Sequence, residues 1–210
     1  MARTDQRRVG RPPKAVLDRA RIGDAALALV DESGDFTLPE LARHLGVQTS
    51  SLYHHVSGRA GVVELLRERI TLEIDTGQLD KRPWDVALTG LFRSYRAAYA
   101  HHPRVVPLLT TTPVRAPEVL LAYDKVAALL AEMGVPARRA MAFLTACESF
   151  TIGSALDLAA PEVMWEIPED VEAPHLAAAL TAQDSTGRRA DDAFEYGLAA
   201  LLTTLSTHLE

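Results

Sequence analysis

One cysteine, Cys147, occurs in 210 residues, so no disulfide can close within the chain. That scarcity predicts a reducing, cytoplasmic setting. Aromatic residues are also sparse, at 6%, while alanine and leucine abound. This balance disfavours a strand-rich fold and favours helices. No stretch reaches the roughly 18 uninterrupted apolar residues of a membrane span. The basic N-terminus is not followed by an apolar signal core, so neither a membrane partner nor a secretion signal is expected. A nucleophile elbow, a glycine-rich phosphate loop and metal-ligand spacing are missing as well, which argues against an enzyme, a metal site or a bound cofactor.

What the chain does have is enough apolar material for a core, 48% against 24% charged. The formal net charge is -6, which taken alone disfavours a nucleic-acid partner. Its distribution says otherwise. Residues 1–21 hold Arg3, Arg7, Arg8, Arg11, Lys14, Arg19 and Arg21 against Asp5 and Asp18. A basic arm on an acidic body can hold phosphates locally.

Residues 1–14 lack apolar periodicity and carry Gly10, Pro12 and Pro13, the pattern of a flexible arm. Helical spacing begins with Ile22, Ala25, Ala26, Leu29 and Val30 and stops at Gly34. Thr37-Leu38-Pro39-Glu40 reads as a capping box, with Thr37 as N-cap and also a candidate DNA contact. A short helix over Leu38–Leu45, a turn at Gly46, a second helix from Thr49 to His55 and a longer one from Arg59 to Ile74 should follow. Beyond a connection at Gly77–Pro83, helices are expected at about 84–101, 104–111, 116–133, 136–159, 172–182 and 190–208. The predicted fold is all-α. Its boundaries are a basic arm (1–14), a three-helix DNA-binding domain (15–60) and a larger helical domain (61–210).

The informative run is 37–56. Two helices crossing steeply need a small residue at the crossing, and Ala42 supplies it. They need a sharp turn, which Gly46 allows, and a buried anchor on the second helix, which Leu52 provides. Leu41, Leu45, Val47 and Val56 can complete a small core. This is helix-turn-helix spacing. The second helix opens on short polar side chains, Thr49, Ser50 and Ser51, where a helix entering a major groove meets base edges. Gln48, Tyr53, His54, His55 and Arg59 surround that tip with donors suited to bases and phosphates.

These residues carry a resemblance. Ala26-Leu-Ala-Leu-Val-Asp-Glu-Ser-Gly34, Leu41-Ala42, Leu45-Gly46-Val47 and Ser51-Leu52-Tyr53-His54-His55-Val56 resemble the N-terminal domain of the TetR family of transcriptional regulators. The resemblance implies a double-stranded, palindromic operator as partner. It places Thr49, Ser50 and Ser51 near bases, and Tyr53, His55 and Arg59 on backbone phosphates. Pro39 stands where the tetracycline repressor has a base-reading arginine, so a different operator is expected. Gly10-Arg11-Pro12 resembles a minor-groove hook that would insert Arg11; the alternative is a solvated tail.

Further along, 149–157 and Phe194-Glu-Tyr-Gly197-Leu198 resemble the two helices through which the tetracycline-repressor branch forms homodimers. Phe150, Gly153, Leu156, Phe194, Gly197, Leu198, Leu201, Leu202 and Leu205 are the expected dimer residues. Gly153 and Gly197 would permit close helix approach. The alternative is that both stripes pack inside one subunit. A two-fold dimer would suit half-sites roughly 34–36 Å apart.

The family also carries a cavity for a small-molecule effector. Leu91, Tyr95, Tyr99, Leu108, Thr111, Leu120, Phe143, Cys147 and Phe150 are the expected lining, mainly apolar with a few hydroxyls; ordinary core is the alternative for each. Leu108 or Leu109 falls where the tetracycline site has its metal-binding histidine, and Leu91 where it has an asparagine, so tetracycline–magnesium is not the expected ligand. Adjacent His101 and His102 would point about 100° apart, which suits a solvated helix end better than a metal site. Cys147, between Phe143 and Phe150, is expected to be a buried, inert thiol. A regulator without an effector, or one that activates transcription, is the competing reading.

Overall fold

Asp18 starts the first helix by accepting the Arg21 N–H at 2.8 Å, and Gly34, at φ +83°, ends it. The computed structural model describes residues 17–161, 163–183 and 187–207. The arm over 1–14, Arg11 included, lies outside the described residues. Among the described residues every regular element is helical: α1 (Arg19–Ser33), α2 (Leu38–Leu45), α3 (Thr49–Leu52), α4 (Gly58–Leu72), α5 (Trp84–His101), α6 (Val106–Leu109), α7 (Pro117–Glu132), α8 (Ala137–Asp157), α9 (Pro174–Ala182) and α10 (Arg189–Ser206). Short 3-10 turns over Thr76–Asp80 and Pro103–Val105 precede α5 and α6.

Two apolar clusters hold these helices. One joins Ile22, Ala26 and Val30 of α1, Leu41 and Leu45 of α2, Leu52 of α3 and Val62, Leu66 and Ile70 of α4. It continues into Ala98 and Tyr99 of α5, Val106 and Leu109 of α6 and Ala155 of α8. The other is built from α5, α7, α8 and α10, through Leu88, Phe92, Leu130, Leu144, Phe194 and Leu198. Burying each such side chain contributes about 1.5–3 kcal/mol before chain entropy is subtracted.

α1 lies along α4 where Gly23 meets Arg69. A Cβ on Gly23 would fall 3.1 Å from Arg69 Cγ and 3.4 Å from Leu65 Cβ, so this contact favours the smallest residue. Arg69 pairs with Asp24, and Arg19 with Glu68 at 2.9 Å.

Candidate nucleic-acid interface and effector cavity

The capping box at Thr37 closes in both directions. Glu40 N–H donates to Thr37 Oγ1 at 3.3 Å, while Thr37 N–H and Oγ1–H donate to Glu40 Oε2 at 2.9 and 2.7 Å. Pro39 sits in the first turn, where a backbone N–H would have no helical acceptor, so its missing donor costs no hydrogen bond. At the other end Gly46, at φ +68°, turns the chain and donates its N–H back to α2. Ala42 is 2% exposed at the crossing and Leu52 is fully buried.

With Leu52 anchored, the polar tip turns outward. Gln48, Ser50, Tyr53 and His54 are exposed; Thr49, Ser51 and His55 are half-buried. α3 stops at Leu52 rather than continuing to His55. Val56 must return to the core, so the last turn tightens: His55 N–H and Val56 N–H both donate to Leu52 O, at 2.9 and 3.0 Å. Gly58, at φ +66°, then opens α4.

Among the described residues, the side chains of two predicted DNA residues, Thr37 and Arg59, have partners within the chain. The Thr37 hydroxyl is taken up by the capping box. Arg59 reaches back to the α1–α2 connection, with Nη2 2.6 Å from Asp35 Oδ1, Nη1 donating to Phe36 O, and its guanidinium carbon 4.5 Å from the Phe36 ring centre. That hydrogen bond, in turn, holds the Asp35 carboxyl below its usual range.

Behind the helix-turn-helix, α4, α5, α7 and α8 enclose a cavity of about 60 Å³. Of the predicted lining, Leu91, Tyr95 and Tyr99 are in place, joined by Phe92, Val126, Leu144, Tyr123, Arg67 and Glu148. The other six lie elsewhere. Leu120 is 49% exposed on α7. Leu108 packs on the first cluster. Thr111 is exposed, and its hydroxyl donates to Pro107 O and Leu108 O. Phe143 lines a separate groove with Leu201 and Leu205. Phe150 stacks on Phe194 at 5.6 Å. Cys147 is fully buried, and desolvation pushes its thiol up to about 12. A thiol so raised stays protonated and unreactive.

Arg67 and Glu64, one helical turn apart on α4, tie that helix to the connection between α6 and α7. Arg67 Nη2 donates to Leu109 O at 2.9 Å and to both Thr112 O and Thr112 Oγ1 at 3.0 Å. Glu64 Oε2 accepts the N–H groups of Arg115 and Ala116, just ahead of α7, at 2.8 and 2.9 Å, placing a negative charge near the N-terminal end favoured by the helix dipole. His102 is a second tie. It is not the solvated helix end expected from sequence, because its imidazole sits between carboxylates of α1 and of the residue ending α4.

The α10 stripe also needs correction. Phe194, Leu198, Leu202 and Leu205 are buried within the chain, and Leu201 and Phe150 pack against the same cluster. A side chain closed inside its own subunit has little surface to offer a partner. Gly197 belongs to that inner contact, since a Cβ there would fall 2.4 Å from the Phe150 ring. Gly153 differs: among the described residues, nothing lies within 4 Å of its Cβ position. Leu156 (41% exposed), Met141 (57%) and Tyr196 (82%) remain on the surface of α8 and α10.

A family model for the tetracyclin repressor-like C-terminal domain matches residues 76–209. The chain belongs to this TetR family of transcriptional regulators. Among known proteins, it is 28% identical over 207 residues to the tetracycline repressor protein class D of Escherichia coli, covering 93% of this chain and 92% of that protein. It is 26% identical over 152 residues to the HTH-type transcriptional repressor DrrR1 of Streptomyces coeruleorubidus, a match over 71% of this chain but 56% of the relative. A solved structure of a possible TetR family transcriptional regulator from Streptomyces coelicolor A3(2) shares the fold with TM-score 0.72 and 28% identity, over 90% of this chain and 99% of that one.

Proposed function

We propose that the chain is a homodimeric repressor that reads a palindromic operator with α2 and α3 and leaves it when a small molecule enters the cavity behind α4. Residues 15–60 form the DNA-binding domain in this reading, and 61–210 the effector-binding and dimerisation domain. The observation that carries it is the tip of α3: Leu52 is fully buried while Gln48, Ser50, Tyr53 and His54 face solvent. A core hairpin would bury that polar edge, whereas a reading head must present it.

Thr49, Ser50 and Ser51 meet base edges in this arrangement, with Gln48 and His54 flanking them. Tyr53 and His55 hold phosphates. Arg59 joins them by exchanging or sharing its contacts with Asp35 and Phe36, and Arg11 reaches the minor groove. Effector response would run through Glu64 and Arg67, which couple α4 to the ends of α6 and α7. Dimerisation has its support in the exposed Met141, Gly153 and Leu156 of α8 and Tyr196 of α10. It is supported too by α9, which buries no residue in the single chain.

Mobility shift with the DNA flanking the protein's own gene tests the reading. Tyr53 is 60% exposed, so Tyr53→Ala should weaken the complex while the melting temperature and the dimer persist. Wild-type affinity in that variant, or no shift by the wild-type chain, would reject the assignment of this surface.

A further inference from the structure

The cavity holds a charged group that its apolar lining does not explain. Glu148, on α8, projects a half-buried carboxylate among Leu91, Phe92, Val126 and Leu144. Burying a carboxylate beside apolar walls is costly unless donors or a counter-charge meet it. Two phenols supply part of that. Tyr95 Oη–H donates to Glu148 Oε1 at 2.8 Å, and Tyr123 Oη–H donates to the same oxygen. Neither phenol uses Oε2. Tyr95 is also stacked on Tyr99, with ring centres 4.8 Å apart.

Four aromatic rings, those of Phe92, Tyr95, Tyr99 and Tyr123, and a carboxylate therefore line one cavity. Ring faces attract cations through their quadrupole, and a carboxylate adds charge and an acceptor. Desolvation, together with the neighbouring carboxylate, raises the Tyr95 and Tyr123 hydroxyls, so both stay protonated as donors. Arg67 also lines the cavity, but two of its three guanidinium nitrogens, Nη2 and Nε, are turned to partners outside it. Nη2 serves three oxygens of the α6–α7 connection, and Nε reaches Glu64 at 3.4 Å. An anionic ligand would have to compete with those oxygens while facing Glu148.

Resting on the effector reading of this cavity, we propose that it selects organic cations: a protonated amine on an apolar body, its N–H donating to Glu148 and its charge held beside Tyr95, Tyr99 and Tyr123. A volume of about 60 Å³ is roughly that of two waters in the liquid. It receives a head group of ammonium size, and a larger body displaces side chains of the wall.

Calorimetric titration of the full chain, without DNA and at fixed salt, tests this with three probes of one shape: phenethylammonium, 2-phenylethanol and 3-phenylpropionate. The ammonium should bind at least about tenfold more tightly than the other two, a difference of about 1.4 kcal/mol. Glu148→Gln should erase that preference and leave the alcohol unchanged. Tyr123→Phe should keep it, because the carboxylate remains. Equal binding of the three, preference for the propionate, no binding of any, or a cation preference that survives Glu148→Gln would each overturn the proposal. If Glu148→Gln fails to fold, the wild-type and Tyr123→Phe selectivities decide. Operator release is read separately by mobility shift. Selective amine binding without release would count against the effector reading alone, and release by all three probes alike would count against cation selectivity alone.

Discussion

Nδ1 of His102 lies 2.7 Å from Oδ2 of Asp31, joining the end of α5 to α1. The same ring reaches Glu73 with Nε2 at 3.0 Å. The His102 side chain is 16% exposed, and Arg104 adds a hydrogen bond to Asp31 O at 3.0 Å. His102→Ala would leave both carboxylates without this partner. It should lower stability by about 1–3 kcal/mol, read by thermal or urea melting. His102→Gln, which can still donate to one carboxylate, should recover part of the loss. An unchanged melt in His102→Ala would mean that the tie contributes nothing.

The helix-turn-helix offers a graded test of its own construction. Thr37→Ala removes one side of the capping box and should cost about 1 kcal/mol. Leu52→Ala empties a fully buried site beneath α3 and should cost about 2–5 kcal/mol. Both are measured by urea unfolding. The order matters more than the size: Thr37→Ala exceeding Leu52→Ala would contradict the anchor role of Leu52.

Local chemistry explains which features were legible before the structure. The Thr37–Glu40 box and Gly46 are short-range devices, so the bounds of α2 follow from sequence alone. The all-helical class followed from periodicity. The end of α3 did not, because it depends on Val56 finding the core. The intramolecular partners of Arg59 were not legible for a similar reason: Asp35 and Phe36 are more than 20 residues away. The α10 stripe Phe194–Leu205 shows the limit of periodicity, which marks a buried face without saying whether its own chain or a copy buries it. Glu148 was overlooked, although it is the sole charged residue between Ala140 and Ala155. Its phenol partners lie 53 and 25 residues away, so the cluster exists only in three dimensions.

Acid should weaken the fold with a defined sign. Arg59 holds Asp35 below its ordinary 3.8, and Arg93, bonded to Glu195 by two 2.7 Å contacts, holds that carboxyl below 4.5. A carboxyl depressed in the folded state contributes stability above its unfolded value and loses it as pH falls through the folded value. The contribution of these pairs to the melting temperature should therefore be level from pH 7 to about 5 and fall below about pH 4. Arg93→Met should melt lower than wild type at pH 7, and the two curves should converge near pH 2. A gap that persists at the acid end would assign the loss to packing rather than to the ion pair.

The two helix glycines separate inner from outer contacts. At Gly197 a methyl would meet Phe150, whose ring is held in its stack on Phe194. Gly197→Ala should therefore cost about 1–3 kcal/mol within the subunit, despite the better helix propensity of alanine. At Gly153 no such neighbour lies among the described residues. Gly153→Leu can add a side chain there without disturbing its own subunit. If α8 pairs with its copy in the proposed dimer, the same leucine fills the space where the helices approach. Sedimentation equilibrium should then show a folded monomer for Gly153→Leu and a destabilised dimer for Gly197→Ala. Gly153→Leu that remains dimeric at wild-type affinity would move the dimer surface away from this face of α8.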